Sequence, residues 1–207
     1  MEFYAEEAVI APYEVYKKLN EISDAPFSVY FKKNQHYLLS ASPERYLKKE
    51  NQKVISQPIK GTAKRNSNSE LDEQNKVALQ NNAKERSENI MIVDLVRNDL
   101  SQTATKSSVE VEELCNVYSF KQVHQMISTI TSNVSHTTSP IEILRTTFPM
   151  GSMTGAPKIS AMKIIEELEE TKRGLYSGAV GYFTPSGNFD FNVVIRSILY
   201  NSDNKYL

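Results

Sequence analysis

Lys60 lies in the run Pro58-Ile59-Lys60-Gly61-Thr62, directly after Val54-Ile55-Ser56-Gln57. Val54–Gln57 reads as a strand that Pro58 closes, and Gly61 frees the backbone for a sharp turn that brings N–H groups near a ligand. A lysine held in such a turn can act as a nucleophile when burial or a neighbouring cation favours its neutral amine, and Lys64 and Arg65 follow closely. Glu88 is a second candidate. Its i+4 and i+7 neighbours are Ile92 and Leu95, so its carboxylate needs either a partner, such as Lys84 at i−4, or a metal ion. The run Gly151-Ser152-Met153-Thr154-Gly155-Ala156-Pro157-Lys158 precedes a helical pattern. N–H groups there form an anion site to which the Thr154 hydroxyl adds. It is not a phosphate-binding Walker loop, because Gly155 is followed by Ala-Pro-Lys rather than Lys-Ser/Thr. The stretch from Phe189 to Tyr200 alternates, with Asn192, Val194, Arg196 and Ile198 on one face. A guanidinium centred in so apolar a strand needs an anion. His124 shares a strand face with Gln122, Met126 and Ser128. Together these residues offer a nucleophilic amine, a metal-competent carboxylate and donors for anions.

The elements that must position them alternate between strands and helices. Residues 12–22 form a short helix with Pro12 in the first turn and Val15, Leu19 and Ile22 on one stripe. Phe27–Phe31 and Tyr37–Ala41 form a hairpin across Lys32-Lys33-Asn34-Gln35, and Val54–Gln57 leads into the lysine turn. Residues 69–97 read as one long helix or two, capped by Ser69. Strands follow at 109–118 and 122–132, then helices from Pro140 and Pro157, the latter with Ala161, Ile164, Ile165 and Leu168 as its apolar stripe. Strands at 177–183 and 189–200 close the pattern across Thr184-Pro185-Ser186-Gly187. Hairpins separated by helices predict an α+β fold with mainly antiparallel sheets and flanking helices, in a chain long enough for one good-sized domain or two small ones.

Bulk composition narrows the function by exclusion. Lys and Arg number 24 against 25 Asp and Glu in 207 residues, so no net field attracts nucleic acid or an anionic membrane. No apolar run approaches the roughly 18 residues that span a bilayer. The acidic start Met1-Glu2-Phe3-Tyr4-Ala5-Glu6-Glu7 is unlike a secretory signal. A single cysteine, Cys115, excludes an internal disulfide framework and fits a reducing compartment, so the expected location is cytoplasmic. Of seven glycines, six lie between Gly151 and Gly187, which marks the last third as substrate-contacting.

Taken in order, Ser42-Pro43-Glu44-Arg45, the lysine motif, Glu88-Asn89-Ile90-Met91-Ile92-Val93-Asp94-Leu95-Val96-Arg97-Asn98-Asp99, the Gly151–Lys158 loop, and Asp190-Phe191-Asn192 running into Ile195-Arg196-Ser197 resemble the chorismate-utilising enzymes. Within that family Pro-Ile-Lys-Gly-Thr resembles the aminodeoxychorismate synthase branch, component I, where anthranilate synthases usually carry alanine at the lysine. The resemblance implies an anthranilate synthase component I-like fold, of which this chain would be a part truncated at both ends. It implies Lys60 as nucleophile, Glu44 as general acid and base, and His124 beside the substrate. Gly61, Thr62, Thr154, Tyr182 and Arg196 would bind substrate, the last two holding the enolpyruvyl carboxylate. Glu88 would bind Mg²⁺. The implied reaction aminates chorismate at C4, with ammonia from a separate glutamine amidotransferase subunit. Asp94, Arg97 and Asp99 read as a salt-bridge network at the helix end.

Overall fold

The computed structural model describes residues 3–207. It divides into two compact units. The first comprises Met1–Glu44, Arg173–Val180 and Asn192–Leu207; the second comprises Arg45–Lys172 and Gly181–Phe191.

In the first unit, helix α1 (Pro12–Ser23) packs against a three-stranded antiparallel sheet of β1 (Phe27–Lys33), β2 (His36–Ser42) and β10 (Ser197–Asn201), with β2 in the middle. The predicted hairpin is present, but its turn is tighter than expected. Lys33 pairs with His36, and Asn34 alone takes a positive φ of 53°. The middle strand carries the core residues Leu38, Leu39 and Ala41, completed by Val193, Val194 and Tyr200.

In the second unit, the centre is β7 (Val123–Asn133). Along one edge it pairs with β6 (Glu110–Ser119), and it also pairs with β4 (Lys53–Gln57) and β5 (Ile59–Lys64), all antiparallel. The sheet continues from β4 through β3 (Arg45–Glu50), β9 (Phe189–Val193) and β8 (Ala179–Phe183). Strand β3 went unforeseen because Arg45-Tyr46-Leu47-Lys48-Lys49-Glu50 alternates poorly. Its apolar Tyr46 and Leu47 are consecutive, and a register shift between Arg45 and Lys48 allows both to be buried. Phe183, Phe189 and Phe191 meet edge to face near the other end of the sheet.

The long helical stretch is two helices, α2 (Ser69–Asn81) and α3 (Ala83–Ser101). Asn82 makes the break by capping α3, accepting from the Lys84 and Glu85 N–H groups. Asn68, not Ser69, caps α2, accepting from Glu70 and Leu71. Both helices cover one face of β5 and β7. Leu79, Cys115 and Met126 form a buried cluster beneath them. Helix α4 (Pro140–Thr147), a single 3₁₀ turn (Gly151–Met153) and α5 (Lys158–Leu168) complete the unit. No residue of α5 is buried, and its expected core residues Ile164 and Leu168 are 53% and 71% exposed.

Two further expectations are corrected. Pro58 does not end in a turn. Its carbonyl accepts from the Ser128 N–H, and the chain goes straight on along β7 as β5. The predicted strand 189–200 stops at Val193 and resumes as β10 in the three-stranded sheet, so Arg196 lies between strands with φ 51° and its side chain is exposed. Alternation alone could not detect the change of sheet, because Val194 and Ile195 continue an apolar pattern. The described helices include none long and apolar enough to cross a membrane.

Candidate active site

Lys60 is presented by a β-bulge. Ile59 pairs with Ile127 and Thr62 with Gln125, so Lys60 and Gly61 together oppose Met126. The extra residue is accommodated by Gly61 at φ +95°, where a Cβ would also crowd Glu85 and Leu79 at 3.2 Å. The glycine was legible as a backbone singularity; what it makes is a bulge within a strand rather than a turn after one. Asn89 of α3 fixes the bulge from behind. Its Nδ2 donates to the carbonyls of Lys60 at 3.4 Å and Met126 at 3.3 Å, while its Oδ1 accepts from Ser128 Oγ at 2.5 Å. Asn89 is 1% exposed, so every one of these bonds forms away from water.

The bulge directs the Lys60 side chain to the glycine loop. Nζ donates to the Ser152 carbonyl at 3.1 Å. Lysine and loop, 92 residues apart, thus form one constellation. The loop is held close to α3: a Cβ on Gly151 would stand 2.7 Å from Leu95 Cδ2. The Thr154 hydroxyl donates inward, to the carbonyls of Met150 at 3.2 Å and Gly151 at 3.4 Å, and so shapes the loop. Neither Lys64 nor Arg65 reads as the neighbouring cation any longer: Lys64 is exposed, and Arg65 donates to Asp72 at 2.9 Å and to the Phe120 carbonyl at 2.8 Å.

Glu88 lies on α3 one position before Asn89. It is half-buried, with Lys84 Nζ 3.8 Å away. Ile92, Leu95 and Asp99 follow on the same stripe. No three His, Cys, Asp or Glu side chains among the described residues gather closely enough to hold a metal by themselves. Magnesium ordinarily takes one or two protein carboxylates and fills its octahedron with water and substrate, so a single half-exposed carboxylate fits such an ion.

His124 is 1% exposed and faces α2, on the same strand face as Met126 and Ser128, as alternation predicts. Nε2 lies 2.9 Å from Asp72 Oδ1 and Nδ1 lies 2.8 Å from Ser119 Oγ. The Arg65 guanidinium, helped by the Asn66 N–H, holds the Asp72 carboxyl far below the usual carboxylate range. A depressed folded pKa stabilises the fold above the unfolded value of about 3.9 and loses that contribution as pH falls through the folded one. Asp72→Asn is therefore expected to lower the unfolding midpoint at pH 7, with the deficit against the unsubstituted chain shrinking below about pH 4. A deficit independent of pH in thermal melts from pH 7 to 2.5 would show that the Asp72 charge does not dock α2.

The opposite face of β7 carries a residue the sequence reading missed. Gln125 is 1% exposed, and neither its Nε2 nor its Oε1 has a hydrogen-bond partner among the described residues. It stands between Thr62 of β5 and Tyr118 of β6. An amide buried without partners carries a desolvation cost of about 1–3 kcal/mol, which a bound polar group can relieve. The signal was present: the alternation that faces His124 to the helices turns Gln125 the other way.

Glu44 and Arg196 belong to the first unit. Glu44 is 5% exposed, its N–H donates to Ser42 Oγ at 3.2 Å, and its carbonyl accepts from the Val193 N–H at 3.1 Å. The Arg196 carbonyl accepts from the Ala41 N–H at 3.1 Å. The crossover from β9 to β10 is thus tied by its backbone to the residues that carry Glu44. In the second unit the Arg45 guanidinium binds Asp190 through two nitrogens, at 3.0 and 3.1 Å, and Gln57 at 2.6 Å. Tyr182, in the second unit, is 63% exposed.

The family model described as chorismate binding enzyme matches residues 2–207. The chain belongs to this family. It is 44% identical over 195 residues to aminodeoxychorismate synthase, chloroplastic, of Arabidopsis thaliana, across 93% of this chain and 21% of that protein. It is 42% identical over 186 residues to aminodeoxychorismate synthase component 1 of Escherichia coli strain K12, across 90% of this chain and 41% of that protein. The crystal structure of anthranilate synthase component I from Streptococcus pneumoniae TIGR4 superposes with a TM-score of 0.87 at 30% identity, over 99% of this chain and 45% of that one. The chain thus has the α+β, mainly antiparallel fold expected of it, and it spans less than half the length of these relatives.

Proposed function

We propose that the protein containing this chain is an aminodeoxychorismate synthase component I, which aminates chorismate at C4 to 4-amino-4-deoxychorismate, the precursor of p-aminobenzoate in folate synthesis. Lys60 carries this reading. A bulge braced by Asn89 holds its amine at the glycine loop, and the relatives most similar over this region include proteins named aminodeoxychorismate synthase. The amine adds at ring C2 as the C4 hydroxyl departs with a proton from Glu44. Ammonia then adds at C4, and the C2–Nζ bond breaks to return Lys60. Burial of Glu44 suits an acid that must hold its proton until the hydroxyl leaves.

Substrate anions are met by backbone N–H groups of Gly61, Thr62 and the loop around Thr154, and by Tyr182 with Arg196, whose planar fork suits a carboxylate. Gln125 offers an amide donor and acceptor to polar ring substituents. His124 acts by holding α2 and β7 in place beside the lysine bulge. Mg²⁺, when bound, neutralises the ring carboxylate, and Glu88 is the side chain that would hold it. Ammonia comes from a separate glutamine amidotransferase subunit.

The rival reading is anthranilate synthase component I, favoured by the similarity to the S. pneumoniae structure. Product identity decides between them. The complete protein, supplied with chorismate, ammonia and Mg²⁺, is expected to yield 4-amino-4-deoxychorismate by liquid chromatography and mass spectrometry. Anthranilate as the main product would overturn the assignment.

A further inference from the structure

Asp99 and Lys158 form a buried ion pair outside the groups that meet substrate. Lys158 Nζ donates to Asp99 Oδ2 at 2.6 Å and to the Thr147 carbonyl at 3.2 Å, and the two side chains are 16% and 8% exposed. Asp94 and Arg97 pair separately on the surface at 3.0 Å, so the network expected at the end of α3 is really two, and only one faces inward. Burial pushes the Asp99 carboxyl up in pKa, and Lys158 opposes that shift.

The position of the pair gives it a purpose. Thr147 ends α4 and Lys158 begins α5, so the bond from Nζ to the Thr147 carbonyl joins the two ends of the intervening segment, 148–157. Tyr46 fastens the same corner, because the Thr147 hydroxyl donates to the Ile143 carbonyl at 2.8 Å and accepts from Tyr46 at 2.7 Å. Within the segment, Gly151 rests on Leu95, and the Ser152 carbonyl receives Lys60. Helix α3 therefore holds the segment at its closed base through Asp99 and at its middle through Leu95. The same helix holds the lysine bulge through Asn89.

We infer that the Lys158–Asp99 pair is a positioning brace that closes the base of the 148–157 segment on α3 and keeps the Ser152 carbonyl against the Lys60 amine. As a contribution to catalysis this rests on Lys60 being the nucleophile; as a property of the fold it does not. A paired charge suits the task, because removing both partners together leaves no uncompensated charge in the interior and costs little in stability, whereas removing one strands the other.

The test reads the Lys60 amine directly. The full chain and its Asp99→Asn/Lys158→Met double variant are acetylated with limiting N-hydroxysuccinimide acetate, and the rate at each lysine is followed by peptide mass spectrometry. With the brace gone, Lys60 is expected to react about fivefold faster, the factor for one ordinary hydrogen bond loosened, while the exposed Lys18 and Lys106 react unchanged. Restoring the pair as Asp99 with Lys158→Arg is expected to return the slow rate. An unchanged Lys60 rate in a folded double variant would overturn the proposal. So would a double variant that no longer melts cooperatively, since the pair would then hold the fold as a whole rather than the segment. On the complete enzyme the double variant is expected to lower kcat more than it raises KM for chorismate. Because acetylation needs neither substrate nor turnover, failure of the proposed reaction and failure of the brace give different results.

Discussion

If the complete protein aminates chorismate as proposed, Lys60→Ala is expected to lower its ammonia-dependent turnover by about a thousandfold or more, while chorismate binding changes only a few-fold. Loss of a covalent nucleophile removes a step rather than weakening one, so the effect falls on kcat. The fold should tolerate the change. Lys60 is half-buried, and its Nζ donates to the Ser152 carbonyl, a bond worth about 1 kcal/mol net. The bulge itself depends on Gly61 and on the backbone carbonyl of Lys60, which alanine retains. Two measurements separate chemistry from structure. Intact-mass spectra of the enzyme quenched during turnover should show a substrate adduct on the unsubstituted protein and none on the variant, and thermal melts should differ by only a few degrees. An adduct of the same mass on Lys60→Ala would place the nucleophile elsewhere.

The residues that carry this prediction were more legible in the sequence than the geometry that presents them. A Lys-Gly pair after a strand reveals a backbone irregularity, because only glycine accepts the left-handed region without strain. Whether that irregularity turns the chain or bulges it depends on the partner strand. Val123–Asn133 was readable as a strand, but its register against Ile59 and Thr62 was not, since the register is set by contacts more than 60 residues away in sequence. Arg196 failed for a related reason. Local alternation carries no mark where a strand leaves one sheet for another, and the positive φ at Arg196 lies in a residue type that gives no warning.

Helix boundaries illustrate the opposite case. Asn68 and Asn82 are good caps with mechanisms written in their side chains. A reading alert to Asn82 could have split the long helix where it splits. The chemistry of Glu88, Asn89, Leu95 and Asp99 is shared along one helix. Its helical spacing was readable, but what each residue touches was not: Asn89 reaches a strand carbonyl and Asp99 a lysine 59 positions away. Gln125 and His124 show how much a single step of alternation decides. His124 is satisfied by Asp72 and Ser119, whereas the Gln125 amide is buried with no hydrogen-bond partner among the described residues.

Glu88→Gln tests the metal assignment, and its expected effect is next in size. The substitution keeps the shape of the side chain and removes its charge. Magnesium sheds water reluctantly and, in the proposed site, would be held by few protein groups, so loss of the charged ligand should raise the Mg²⁺ concentration for half-maximal turnover by about tenfold to a hundredfold, at least the range seen when supporting groups are removed from metal sites. Stability should scarcely change. Glu88 meets Lys84 at 3.8 Å, with 45% and 79% of the two side chains exposed, and such exposed pairs contribute well under about 1 kcal/mol. Lys84→Ala provides the control: it removes the same ion pair from the other side and should leave the Mg²⁺ requirement unchanged or slightly lower, because a competing cation has gone. If Lys84→Ala and Glu88→Gln shift the requirement equally, the carboxylate is a helix-surface partner and the ion is held by other groups. If only Glu88→Gln shifts it, and saturating Mg²⁺ restores part of the lost turnover, the carboxylate is a ligand whose loss the metal concentration can partly offset.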